Sequence, residues 1–266
     1  MKDAILSQLP AECPWGDTLH WFDTVDSTNN KAKAMAQAGA PHGTVLIASH
    51  QTGGRGRMGR SFSSPEGKGI YLSVILRPEC SAQELMHLTC AAAVAMCDAV
   101  EETAGYRPGV KWINDLVFDG KKLGGILTEL SVEPGGGRVQ YAVIGIGINC
   151  SQNREDFPAD LQNMATSLQM VTGKELHQDR LAAAMIHDLW KMDASLLTQR
   201  AAIMDAYRKD CITLGRSVVV LRASEKRYGT AIDIDEDGTL QVTFEDGTTQ
   251  AVNSGEVSVR GMYGYV

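Results

Sequence analysis

The sequence predicts an α+β fold: a mixed β-sheet domain with packed helices over residues 1–211, then a small closed β-domain over residues 212–266. Three observations predict it. Apolar, β-branched runs interleave with alanine-rich helical patterns up to about residue 210. From Leu214 onward only short strands remain, separated by Asp-Gly turns. The 266 residues, 44% of them hydrophobic, suffice for one large core and a small one.

The elements follow in order. The first 25 residues read as a short irregular start. "DSTNNKAKAMAQAGA" (26–40) offers Ser27 or Thr28 as a helix cap, an alanine- and lysine-rich body, and Gly39 as a stop. "GTVLIASHQ" (43–51) is a strand that delivers the chain into "GRGRMGRS" (54–61), and turn residues then lead to a second strand, "IYLSVIL" (70–76). Residues 81–105 form a long apolar-periodic segment opened by a Ser81–Glu84 capping box and closed by Gly105. Cys90 and Cys97, seven apart, both face the core. "VKWIND", "LVFDGKKLGGILTEL" and "VQYAVIGIGINC" are three further strands, with Asp119-Gly120 as a hairpin turn inside the second. Residues 179–211 are helical. "SVVVLRA", "RYGTAIDID", "TLQVTFE", "TTQAVNS" and "VSVRG" then supply the small β-domain, with turns at Asp237-Gly238 and Asp246-Gly247.

Composition excludes several function classes. A net charge of −7 gives no bulk attraction for nucleic acid or anionic lipid. The six cysteines are scattered, without a C-x-x-C pair or a histidine at metal-ligand spacing, so reduced buried thiols are expected. The N-terminus has no secretory signal pattern and no stretch is apolar enough to span a membrane, which points to the cytoplasm.

Against that acidic background the cluster of arginines and glycines in 54–61 stands out. Its spacing approaches a phosphate-binding P-loop, but that loop needs a helix immediately after it, and here turn residues and a strand follow. A nucleic-acid arm would sit in a basic domain with aromatic platforms. A solvated loop is the bland reading of such a segment alone. Its place between two buried strands favours a mobile anion clamp: guanidinium forks suit carboxylate and phosphate oxygens, and glycines let backbone amides approach a ligand. Lys111, Asn114, Asp115 and Lys122 form a second polar cluster. Lys122 alone would pass for a solvated hairpin lysine, but Gly124-Gly125 beside it and the alternation in "GIGIN" (145–149) mark close approach of a ligand or another backbone.

"DSTNNKA", "QTGGRGRMGR", "KWIND", "KKLGGILTE" and "VIGIGIN", in this order, resemble the catalytic domain of the biotin protein ligases, and the C-terminal segment resembles their SH3-like domain. The resemblance implies that biotin and ATP, with Mg2+, give biotinyl-5′-adenylate and pyrophosphate, after which a carrier lysine takes the biotinyl group. It places Ser27, Thr28, Asn29, Gln51, Arg55, Gly56, Arg57 and Lys122 at biotin. Arg57, Arg60, Phe62, Lys111, Asn114 and Asn149 fall at ATP or the adenylate. Lys122, Arg57 and Asp115 are the catalytic groups, with Lys122 an electrostatic stabiliser; metal ligands are not indicated. Met58, Phe62 and Ile113 depart from the family's usual arginine, tryptophan and proline. The implied partner is the biotin carrier domain of acetyl-CoA carboxylase or of a related biotin-dependent carboxylase or decarboxylase. The 25 residues before Asp26 are too few for a helix-turn-helix domain, so no specific DNA binding is expected. A homodimer through a sheet edge remains open. The rivals are a lipoate or octanoyl protein ligase or transferase, and a non-catalytic biotin-binding module.

Overall fold

The computed structural model describes residues 1–222, 225–253 and 258–261. The chain runs α1 (Lys2–Gln8), a 3-10 turn (Pro14–Gly16), β1 (Leu19–Val25), α2 (Thr28–Gln37), β2 (Thr44–Gln51), β3 (Gly69–Leu76), α3 (Leu88–Ala104), β4 (Gly109–Lys111), β5 (Asp115–Phe118), β6 (Lys121–Val132) and β7 (Val139–Asn149). Then come α4 (Leu168–Thr172), α5 (Gln178–Ser195) and α6 (Arg200–Asp210). The C-terminal strands are β8 (Ser217–Arg222), β9 (Glu225–Ile234), β10 (Leu240–Phe244), β11 (Thr249–Val252) and β12 (Ser258–Gly261).

The first seven strands make one mixed sheet in the order β1-β2-β3-β7-β6-β5-β4, parallel only between β1 and β2. Every residue of β3 is buried because both sheet faces are covered, and this is why the central strands read as unbroken apolar runs. Alternate residues of a strand face opposite sides. Val45, Ile47, Val74 and Ile144 therefore enter the large core under α3 and α5, while Leu46, Ile75 and Val143 meet Ala32 and Ala36 of α2 on the other face. Gly145, Gly147 and Asn149 continue the α2 side of β7. The glycine alternation thus hollows out one face only.

The structure corrects four expectations. The irregular start is a helix, a turn and the edge strand β1, which has no long apolar run to reveal it. Ser27 makes no side-chain cap for α2; Gln51 of β2 takes the Thr28 N–H instead. The Ser81–Glu84 box forms, with the Ser81 N–H and Oγ–H donating to Glu84 at 2.8 and 2.7 Å, but it heads a 3-10 turn, and α3 starts at Leu88. "VKWIND" is a strand only to Lys111, after which residues 112–114 turn into β5.

The C-terminal strands form an antiparallel sheet in the order β11-β10-β9-β8-β12. Both Asp-Gly turns are present, with Gly238 and Gly247 at φ +82 and +81, where glycine carries no Cβ penalty. Ala223, Ser254 and Val257, at the ends of three expected strands, lie outside the described residues. This sheet docks on the main domain through the first turn: Trp112 Nε1–H donates to the Gly238 carbonyl (2.9 Å), and Arg200 pairs with Asp237 (3.0 Å).

Candidate active site

On the glycine face of the large sheet a cavity of about 630 Å³ opens between the start of α2, the arginine loop, β4 to β6 and β7. That volume suits a ligand of drug size. All fourteen residues singled out from the sequence line it: Ser27, Thr28, Asn29, Gln51, Arg55, Gly56, Arg57, Arg60, Phe62, Lys111, Asn114, Asp115, Lys122 and Asn149.

One end is built by α2. The Thr28 N–H and Oγ–H both donate to Gln51 Oε1 (2.8 and 3.1 Å), and Gln51 Nε2 donates to Ser64 Oγ (2.8 Å). Asn29 packs against Gly145, where any Cβ would collide with its side-chain amide. Ser27 is buried with its hydroxyl spared from helix capping.

The arginine loop is a tight turn. Arg55 and Ser61 form a β-bridge, the Gly56 N–H donates to the Arg60 carbonyl (2.7 Å), and the Phe62 N–H donates to the Gly54 carbonyl (2.9 Å). Met58 sits at the tip, mostly exposed, at φ +54. Two arginines latch the loop to the scaffold: Arg55 donates to Asn30 Oδ1 (2.8 Å) and Arg57 to Asn114 Oδ1 (3.0 Å). Burial draws the Arg57 pKa below its ordinary value, the Asp115 charge opposes this, and the neighbouring Arg60 adds to it. The guanidinium nonetheless stays charged.

Lys122 Nζ meets Asp115 Oδ1 at 2.6 Å and lies 5.9 Å from the centre of the Phe62 ring. Phe62 in turn covers Gly147, where a Cβ would strike the ring. Asn114 Nδ2 donates to the Ile126 carbonyl, and Asn149 Nδ2 to the Thr166 carbonyl. Each amide therefore keeps one N–H beyond these bonds. Lys122 also exchanges backbone hydrogen bonds with Met164 and Thr166 (2.7 and 2.8 Å), and this fixes a wall made of Phe157, Leu161, Asn163, Met164 and Ala165. Sequence reasoning missed that wall because residues 150–167 carry neither periodicity nor a motif. Ile113 is not among the lining residues; it is buried beneath the site, its carbonyl accepting from the Tyr207 hydroxyl.

The site thus joins three arginines, two lysines and a single carboxylate to a half-apolar cleft. A Mg2+ ion commonly binds through one or two carboxylates plus substrate phosphates. No cluster of three or more acidic, histidine or cysteine side chains occurs among the described residues, and Asp115 is the one carboxylate among the residues that line the cavity. No helix among the described residues is long and apolar enough to cross a membrane.

Fold and site together define the biotin/lipoate protein ligase class: residues 21–149 match the Biotin/lipoate A/B protein ligase family and residues 213–260 the Biotin protein ligase C terminal domain. The chain is 36% identical over 233 residues to the bifunctional ligase/repressor BirA of Bacillus subtilis, covering 87% of this chain and 71% of that protein. It is 35% identical over 240 residues to the biotin--[acetyl-CoA-carboxylase] ligase of Mycobacterium tuberculosis, covering 87% and 85%. A solved structure of the Aquifex aeolicus biotin protein ligase, in complex with biotin and ATP, superposes with a TM-score of 0.77 at 28% identity, over 92% of this chain and 99% of that one. The chain belongs to the biotin protein ligase family, and is an enzyme that ligates biotin with ATP.

Proposed function

We propose that both half-reactions of biotin ligation take place in this one cavity, with the fourteen residues divided between them. The observation that carries the reading is the convergence of Arg57, Lys122 and Asp115 beside a pocket floored by glycines. A biotin carboxylate oxygen attacks the α-phosphorus of ATP, the bond to the bridging oxygen breaks, and pyrophosphate leaves. Two anions meet in that step, so fixed cations aimed at the developing charge lower the barrier. Arg55 and Arg57 reach the site from the loop, and Lys122 from β6, held in place by Asp115. A Mg2+ ion bound to the nucleotide, with Asp115 as its protein carboxylate, would neutralise further phosphate charge.

Ser27, Thr28, Asn29, Gln51 and Gly56 line the biotin end. Arg60, Phe62, Lys111, Asn114 and Asn149 line the nucleotide end, and the spare N–H of each asparagine suits a ring nitrogen of adenine. In the second step a lysine amine of the carrier attacks the acyl carbon, the acyl–oxygen bond to AMP breaks, and AMP leaves as the amine gives up a proton; Asp115 would meet the incoming amine. The carrier is the biotin domain of acetyl-CoA carboxylase or of a related biotin-dependent carboxylase or decarboxylase.

The reading includes a cytoplasmic setting, in keeping with six free, buried cysteines. It includes no specific DNA contact, because a net charge of −7 gives no bulk attraction for nucleic acid. Residues 1–211 are taken as the catalytic domain and 212–266 as the C-terminal domain. Incubation of the chain with biotin, MgATP and a purified carrier domain tests the reading. One biotinyl group on the carrier lysine is expected by intact mass, and none on a carrier whose lysine is replaced by arginine. Carrier left unmodified under turnover conditions would reject it.

A further inference from the structure

Glu129 of β6 lies outside the cavity lining yet touches two residues of that lining and a lysine of α2. Its Oε2 accepts from Asn29 Nδ2 (2.9 Å), its Oε1 pairs with Lys33 Nζ (2.7 Å), and Arg55 of the loop stands 3.5 Å away. Asn29 is 4% exposed, and its partners decide which way its amide faces. Leu127 offers a carbonyl (3.2 Å) and Glu129 a carboxylate, both acceptors only, so Nδ2 must face them. Ser73, fully buried, donates its hydroxyl to Oδ1 at 2.7 Å. Both amide hydrogens are then spent, and Oδ1 keeps one lone pair. Asn29 can offer a ligand an acceptor and no donor.

A ring bearing N–H groups satisfies that acceptor, as the ureido ring of biotin does. The dithiolane ring of lipoate has no such hydrogen. Oδ1 already accepts from Ser73, so a head without N–H only forgoes the second bond that a ring with N–H supplies, and the arrangement favours the latter. The carboxylate is ionised at neutral pH: burial pushes Glu129 upward, but the hydrogen bonds from Lys33 and Asn29 and the charges of Lys33 and Arg55 outweigh it and hold the pKa low.

We infer that Glu129 is a positioning residue for substrate selection, which by taking the second Asn29 hydrogen leaves the pocket presenting only an acceptor to the ring of the acid. The inference rests on biotin being the acid activated in this cavity. Two substitutions separate reach from charge. Glu129→Asp keeps the counter-charge for Lys33 and Arg55 but is one methylene too short for Asn29. Glu129→Gln keeps the reach and an acceptor oxygen but loses the charge.

Steady-state pyrophosphate release reads the result. Glu129→Asp is expected to raise the biotin KM about tenfold with kcat within about twofold, and to lower the biotin-to-lipoate selectivity by a similar factor. Glu129→Gln is expected to stay within about threefold of the parent in KM. Both substitutions are small, and melting temperatures near the parent's would show that the fold is kept. The reverse order of the two variants would overturn the inference, as would KM values for both within threefold of the parent. Failure of the parent chain to adenylate biotin at all would instead reject the proposed function on which it rests.

Discussion

Lys122 and Asp115 stand 2.6 Å apart, and the roles proposed for them can be tested one residue at a time. Lys122→Ala removes a fixed cation from the phosphoryl-transfer region and leaves Asp115 to add negative charge beside the phosphates. A loss of about 10²–10³ in kcat for adenylate formation is expected, measured by pyrophosphate release. Gly145→Ala tests the opposite face, where the added Cβ would overlap the Asn29 amide. That overlap displaces Asn29 from the end of the cavity proposed to hold biotin, and the biotin KM should rise at least about tenfold with a smaller change in the ATP KM.

Among the elements, those with strong local signals were legible. The strands β2, β3 and β7, the Asp119-Gly120 turn with both residues at positive φ, and the C-terminal Asp-Gly turns follow from apolar runs and turn chemistry. Three features were not legible because tertiary partners decide them. The N-terminal capping bond of α2 comes from Gln51, 23 residues downstream of Thr28. β1 has a mixed burial pattern and exists because β2 pairs with it. The wall around Met164 is held by the Lys122 backbone.

The fourteen residues that line the cavity were legible as ordered motifs, yet partners that orient them, Ser73, Ser64 and Glu129, show no signal outside the folded chain. The Asp237-Gly238 turn offers a prediction at this scale. Gly238 has φ +82, and a Cβ there would stand 2.8 Å from Cys90 Sγ. Gly238→Ala should cost about 2–3 kcal/mol in urea unfolding and weaken the Trp112 hydrogen bond that joins the C-terminal sheet to the main domain.

For the whole molecule, one continuous buried cluster runs from Ile5 of α1 to Val252 of β11, so the C-terminal sheet shares the core of the catalytic sheet. A fully buried group within it gives stability a pH dependence. His87 lies between α3 and the C-terminal turn, with Nε2 bonded to the Leu196 carbonyl and Nδ1 without a partner. Burial lowers its pKa below the ordinary 6.5; the Leu196 bond opposes that shift. The folded state therefore resists the proton that the unfolded chain accepts. Stability contributed by neutral His87 is complete above about pH 6.5 and declines as pH falls below that value toward the folded pKa. Urea midpoints should follow that course, and His87→Gln should flatten it.

The same molecule keeps its six cysteines buried, and burial pushes the Cys150 thiol up to about 12, which leaves little reactive thiolate at neutral pH. The charged groups that line the cavity lie on the glycine face of the sheet. The central claim is that the acid is biotin. Incubating the chain with MgATP and an equimolar mixture of biotin and lipoate, then identifying the bound acyl-adenylate by mass spectrometry, tests it most directly. Biotinyl-5′-adenylate as the dominant species is the predicted result; lipoyl-adenylate in its place, or no adenylate from either acid, would contradict it.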